Sequence, residues 1–500
     1  MNSNDSKESQ INSHNSQAII DQIFSYDVFN QLDKDELVNR YDFSSAIFEI
    51  NSAIRSQEGQ KPQDDNVISE IPPEGIVIGK PGTYTFESNL TWNPESTACS
   101  AITITAGDVV LELGNFSLTA TVQDNSQLIN GISIQNSSSV TIRNGTLANM
   151  CQYGILAENV SGLSIENINV DGLSFKNLDT RLLTPAGIHI NGATDINVDN
   201  CTVRNLNVTS DGSAGIQILN TSGGTVSNCL MSDFVNNDGS VQGYSYLTSS
   251  KITTSNCQAL VFQSHFNGNI LTSGHTVLGF IPILCIELLY ENCSATNMTG
   301  CCDDCHGMSV FLDALVTVDN FTANNVVDGV AESHSGAKAT GLEVYGAFVS
   351  IKNCSVTDIV AINPQDKQSA GFSAWGMEIT FTGCIATNVS VTDENGNTNP
   401  ALGYGNGFGW APDPRHPFVD VGAYWVQYSS CTASNCQVGF DTWNHVDSTW
   451  TNVSYTNCGI DILVEPGGSR TLTGDPCSEC NPPITAVITN IASGNTYPGS

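Results

Sequence analysis

From about residue 130 onward, apolar and polar positions alternate in short runs such as GIHIN (187–191), GIQIL (215–219) and GLEVY (341–345). Period-2 alternation is the signature of a strand with one buried face. Each run opens on a glycine, at Gly131, Gly154, Gly187, Gly215, Gly243, Gly307, Gly341, Gly371, Gly407, Gly439 and Gly459, at intervals of mostly about 20 to 36 residues. A further coil is expected around Ile283–Asn297, inside the longest interval. Few helical periods intervene, so crossover helices cannot join these strands. Short strands at this interval predict a parallel β-solenoid in which each coil pairs with the next.

About 13 residues after the glycine a second strand ends in asparagine, at Asn144, Asn167, Asn200, Asn228, Asn256, Asn320 and Asn353. Asn292-Cys293 and Asn457-Cys458 carry a similar dipeptide, whereas Gly383-Cys384 and Ser430-Cys431 depart from it. Asparagine tolerates the left-handed backbone of a tight corner, and its amide can bond to the equivalent amide of the next coil. This phrase resembles the right-handed parallel β-helix repeat of the pectate-lyase-like superfamily. The resemblance implies an all-β fold, a right-handed parallel β-helix over 71–465 with IPPEGIVIGKPGTYTFESNL (71–90) as entry strands. It leaves function open, because that superfamily holds polysaccharide lyases, hydrolases, epimerases, tailspikes and non-catalytic adhesins.

Residues 1–16 read as a disordered polar tail. Residues 17–70 read as an N-terminal cap and linker, with Ile19, Ile20, Ile23, Phe24, Val28, Phe29 and Leu32 at near-helical spacing. A helical cap would cover the unpaired edges of the first coil; a docking segment for a partner is the other reading. The Gly- and Pro-rich 466–500 predicts a closing loop and tail.

Charge narrows the choice of partner. With 16 basic and 50 acidic residues the net charge is −34, which argues against nucleic acid and against acidic polysaccharides, leaving a neutral glycan as the expected partner. No apolar run is long enough to span a membrane, and the first ten residues, MNSNDSKESQ, carry no secretory signal. An extracellular or virion-associated setting stays open, as does a homo-oligomer.

There are 17 cysteines. Cys201, Cys229, Cys257, Cys354 and Cys384 share a repeat slot with Gly145, Ile168 and Phe321, which predicts inward packing rather than chemistry. Two groups fall outside the slot: Cys301-Cys302-Asp303-Asp304-Cys305-His306, read as a disulfide or turn or else a metal site, and the Cys477/Cys480 pair, read as a loop staple or a redox couple. The metal, if any, is unknown. No cofactor is required by the residues, and Ca2+ is what the superfamily's lyases would add.

Strand parity nominates the site. Counted from each glycine, offsets two and four point outward, so Phe311, Tyr345 and Trp375, and past one irregular coil Trp443, would form an aromatic stripe about 4.8 Å apart per coil. Such a stripe is a surface for sugar rings, unless long insertions cover the face. Glu343 and Asp441 flank it, with His445 close in sequence, and paired carboxylates are the minimum equipment for glycoside hydrolysis. Trp410, Arg415 and His416 lie in the insertion 403–425 and would add substrate contacts. A second catalytic candidate is Asp303, Asp304 and His306. It resembles the acid pair and histidine of polygalacturonase-like hydrolases, but the two features are fused into one stretch and Cys305 stands where a glycine precedes the histidine there. Two functions remain: a carbohydrate-binding protein that cleaves or epimerises its glycan as a hydrolase, lyase or epimerase, and a non-catalytic fibre, spike or adhesin.

Overall fold

The computed structural model describes residues 61–473 apart from 63–65, 96–99, 122–127, 177–183, 238, 266–275, 302–303, 330–337, 363–367, 399–403, 410–422, 442–444, 447 and 464–469. The cap expected over 17–57, Cys477 and Cys480 lie outside these residues. Every regular element described is a strand, so no described helix is long and apolar enough to cross a membrane. The described residues divide into two compact units, one running up to Ala259 and the other from Thr276 onward.

In the first unit each coil is three short strands joined by corners, for example Ala186–Asn191, Thr194–Asp199 and Thr202–Thr209. Successive coils pair in parallel, with Ile155 beside Ile188, Ile188 beside Ile216 and Ile216 beside Tyr244. Like therefore stacks on like, and the inward positions form continuous apolar columns. Pairing reaches upstream of residue 71, because Val67–Ile68 lies beside Thr85 and Phe86.

The repeat glycine has a steric cause. A methyl group on Gly154 would lie 2.6 Å from the carbonyl oxygen of Gly187 and 2.8 Å from Val170 across the coil. Both the glycine and the residue after it therefore face the interior. The residue before the glycine is consequently turned outward, and Tyr153, Ala186 and Ala214 cluster with the outward Leu156. That extra outward row is invisible to a simple alternation of parity.

The corners carry the asparagines. Asn144, Asn167, Asn200, Asn228 and Asn256 all have φ between 51° and 61°. The Asn167 amide donates to Asn144 at 2.9 Å, Asn200 to Asn167 at 2.7 Å and Asn256 to Asn228 at 3.2 Å, while Asn228 donates to Asp199. These bonds run along an exposed edge.

The second unit repeats the plan with a more aromatic core. Phe372, Phe408 and Phe440 stack face to face at 4.9 Å steps, and across the coil Phe381 stacks on Tyr428 at 5.0 Å and Tyr428 on Trp450 at 4.2 Å. Here too there is a corner asparagine column, in which Asn320 donates to Asn292 at 2.8 Å. Asn457 does not belong to it. It donates to Asn435, at the next corner of the coil, where Asn388 and Asp358 are also bonded to each other. The last pairing described, Arg470–Thr473 beside Ser448–Thr451, lies past residue 465, where the sequence placed the start of the tail.

The thirteen described cysteines are all free thiols, and twelve of them are buried. Those of the shared slot point their thiols at main-chain carbonyls, as Cys229 does toward Ser227 at 3.0 Å. Hydrogen bonding to Cys201 and Cys257 above and below, followed by burial, raises the pKa of Cys229. Cys384 is pushed up to about 12, first by its bond to Cys354. A raised pKa keeps these thiols protonated and unreactive, as packing groups should be.

Candidate functional site

The outward face of the first strand in three coils of the second unit brings the nominated residues into register. Asp304–Ala314, Lys338–Lys352 and Gln368–Thr382 pair so that Ser309, Glu343 and Ser373 form one row and Phe311, Tyr345 and Trp375 the next. The rings of Phe311 and Tyr345 are 5.4 Å apart, as are those of Tyr345 and Trp375, the latter edge to face. Phe372 and Phe408 stack on each other in the core, at positions that alternate with this row.

Glu343 is the hub of this face. Lys338 Nζ forms an ion pair with Glu343 Oε1, the Ser309 hydroxyl donates to Oε2 at 3.2 Å, and His306 Nδ1 lies 3.5 Å from Oε2. His306 reaches the carboxylate because it precedes Gly307 and so belongs to the extra outward row. The Lys338 ammonium also sits 5.8 Å from the Trp375 ring centre, within range of a cation–π attraction. All of this is buried: Glu343 is 8% exposed, His306 2%, Tyr345 1% and Trp375 3%. Phe311 is half-buried.

Lys338 is the participant that sequence reasoning missed. Its signal was faint: a lone lysine three residues before a repeat glycine in a chain with few cations. Beside it, Asp328 Oδ2 accepts the Lys338 main-chain N–H at 2.7 Å, and burial raises the pKa of Asp328, with Asp304 and Cys301 adding to the effect. Asp304 is half-buried and pairs in register with Lys338, whereas Cys305 faces the interior. No group of three or more His, Cys, Asp or Glu side chains among the described residues is arranged to hold a metal ion.

Asp441 falls in the same row as Glu343 and Ser373, three coils along from Glu343, because Phe372 pairs with Phe408 and Phe408 with Phe440, whereas His445 pairs with Ala423 further along the coil. Asp441 is buried and accepts a 3.0 Å hydrogen bond from Asn406, while His445 is fully buried against Tyr428 and Trp450, with Nε2 3.0 Å from the Tyr428 hydroxyl. Tyr428 and Trp450 belong to the stacked core, so His445 packs with the core aromatics and Asp441 keeps a separate partner. Asp303, Trp410, Arg415, His416 and Trp443 lie outside the described residues.

The first unit holds a second polar group on the equivalent face. Glu158 is 4% exposed, and burial pushes its pKa up to about 7. Nearby, the His189 and Tyr153 rings are 4.7 Å apart, and His189 Nδ1 lies 2.7 Å from Gln217 Oε1; burial pulls the His189 pKa down to about 4. Both shifts disfavour charge. Glu158 in the fold holds its proton between its ordinary pKa and 7, so the native state binds more protons there and stability falls as pH rises through that window. A shift from 4.5 to about 7 corresponds to a loss of about 3 kcal/mol above pH 8. Urea titrations from pH 5 to 8 should show wild type losing stability that Glu158→Gln retains; parallel curves would refute the buried acid.

These coils define the class of the protein, a parallel β-solenoid. Residues 130–278 match the family model for the right-handed β-helix region. Among solved structures, the chain is similar to the catalytic domain of a GH87 α-1,3-glucanase in complex with tetrasaccharides, at 12% identity and a TM-score of 0.34, over 79% of this chain and 63% of that one. It is also similar to the periplasmic alginate epimerase AlgG, at 9% identity and a TM-score of 0.42, over 82% and 79%. The tailspike protein 3 of bacteriophage CBA120 follows at 10% and 0.36, over 86% and 59%. The chain thus spans less than two thirds of the glucanase domain and of the tailspike. No curated protein matches the sequence.

Proposed function

We propose that this chain is a glycan-binding β-helix protein and that the face centred on Glu343 contacts the sugar. The observation that carries this reading is an aromatic row, Phe311–Tyr345–Trp375, in register with a carboxylate already engaged by an ammonium and a hydroxyl. Ring faces supply apolar surface for pyranose C–H groups, and Glu343 and Lys338 supply an acceptor and donors for hydroxyls. In a cleaving or epimerising version, Glu343 would take or give the proton while Lys338 balances charge. The solved glucanase carries tetrasaccharides and the epimerase acts on alginate, so both are relatives in kind of such a protein; the negative charge of this chain favours a neutral glycan.

The burial of Tyr345, Trp375 and Ser373 favours a second reading, a non-catalytic fibre or spike whose outward face is closed. A glycan-array screen separates the two, using wild type beside Phe311→Ala and Glu343→Gln. The glycan reading expects a neutral oligosaccharide to bind wild type, at least tenfold weaker binding by Phe311→Ala, and turnover, where there is any, lost in Glu343→Gln. Absence of binding by folded wild type would hand the case to the fibre.

A further inference from the structure

A second row in the same unit carries large side chains where the backbone disfavours them. The corner after the first strand is left-handed in successive coils, at Glu287, Leu315, Phe348, Glu378 and Trp425, with φ from 53° to 57°. The register of the flanking strands stacks them: Ala314 pairs with Ala347, Ala347 with Met377 and Met377 with Tyr424, so the residues that follow fall in one column. The same corner in the first unit is occupied by Ser139, Gly162, Asp195, Gly223 and Lys251, mostly the small and polar types that a positive φ admits. A leucine, a phenylalanine and a tryptophan there are costly to the backbone, and while Phe348 is half-buried, Leu315 and Trp425 gain little burial in return, being 41% and 47% exposed. Strain kept at an exposed position points to a use outside the fold.

We propose that Leu315, Phe348, Glu378 and Trp425 form a binding strip for a neutral, extended polysaccharide, separate from the Glu343 face. Phe348 and Trp425 are two coils apart, about 9.6 Å, which is comparable to one disaccharide of an extended β-linked hexose chain. Alternate sugar rings then meet an aromatic platform each, and the exposed Glu378 carboxylate between them accepts hydrogen bonds from the hydroxyls of the intervening ring. A second copy of this chain suits the strip less well, because it would bring its own charge of −34 against Glu287 and Glu378.

Asparagine is the informative substitution, because it fits the left-handed corner and leaves the coil intact. Cellohexaose and mannohexaose, with hexagalacturonate as the charged control, would be titrated calorimetrically into the full chain and into Trp425→Asn and Phe348→Asn. The expected result is binding of at least one neutral hexasaccharide by wild type, at least tenfold weaker binding by either variant, unchanged or higher thermal stability in both, and retained binding in Glu378→Asp. Equal affinity in wild type and Trp425→Asn overturns the strip, even where Phe311→Ala weakens binding and so leaves the Glu343 face standing. So does failure of all three sugars to bind. A wild-type dimer in sedimentation velocity that Trp425→Asn dissociates would equally overturn it, in favour of a subunit interface.

Discussion

Truncating Phe408 to alanine is expected to cost about 3–5 kcal/mol and to lower the urea midpoint of the second unit sharply. Phe408 is fully buried between Phe372 and Phe440 at 4.9 Å on either side, and its ring edge meets Tyr428 at 6.0 Å. Removing it loses the transfer energy of the ring and leaves a void in the middle of a stack, which neighbouring rings cannot fill without leaving their own coils. In a solenoid each coil is held chiefly by the coils beside it, so a defect at one rung weakens the interface on both sides. Phe408→Leu keeps more volume and should cost less than half as much. A Phe408→Ala protein within 1 kcal/mol of wild type would show that the ring stack contributes little.

The second large effect is expected at the ion pair of the outward face. Lys338 and Glu343 are both buried, and a buried pair broken from one side leaves a charge without its partner. Lys338→Met or Glu343→Gln alone should each destabilise by about 3–5 kcal/mol, while the double variant recovers much of that loss. The recovery is the diagnostic part, since it separates the cost of an orphaned charge from the net worth of the pair. If the double variant is as unstable as the sum of the singles, Lys338 and Glu343 are not acting on each other. The Ser309 hydroxyl and His306 ring stay beside Glu343 in the lysine variant and soften that loss, so Lys338→Met is expected to be the milder of the two.

Local chemistry made the coil legible. Alternation in GIHIN and GLEVY, the crowded glycine at the head of each strand and the asparagine at the corner are all answered within one coil and its immediate neighbours. The cysteine slot was legible for the same reason, because a thiol that alternates with isoleucine and phenylalanine in other coils must face the same interior. Where the coil length wavers, that logic weakens. Asn457 carries the expected dipeptide yet bonds to Asn435 at a different corner, and His306, placed by parity alone, would not meet Glu343.

Alone, then, the sequence determined a parallel β-solenoid, its repeat glycines and its corner asparagines, because these follow from backbone sterics and a period of two. Only the tertiary structure decided that Lys338 completes the cluster, that His445 packs among Tyr428 and Trp450, that Glu343, Tyr345 and Trp375 are buried, and that strained Leu315, Phe348 and Trp425 fall in one column with Leu315 and Trp425 exposed. Those outcomes depend on which coil lies above which and on the kink each glycine introduces, and insertions of varying length between the strands hide both from a reading along the chain.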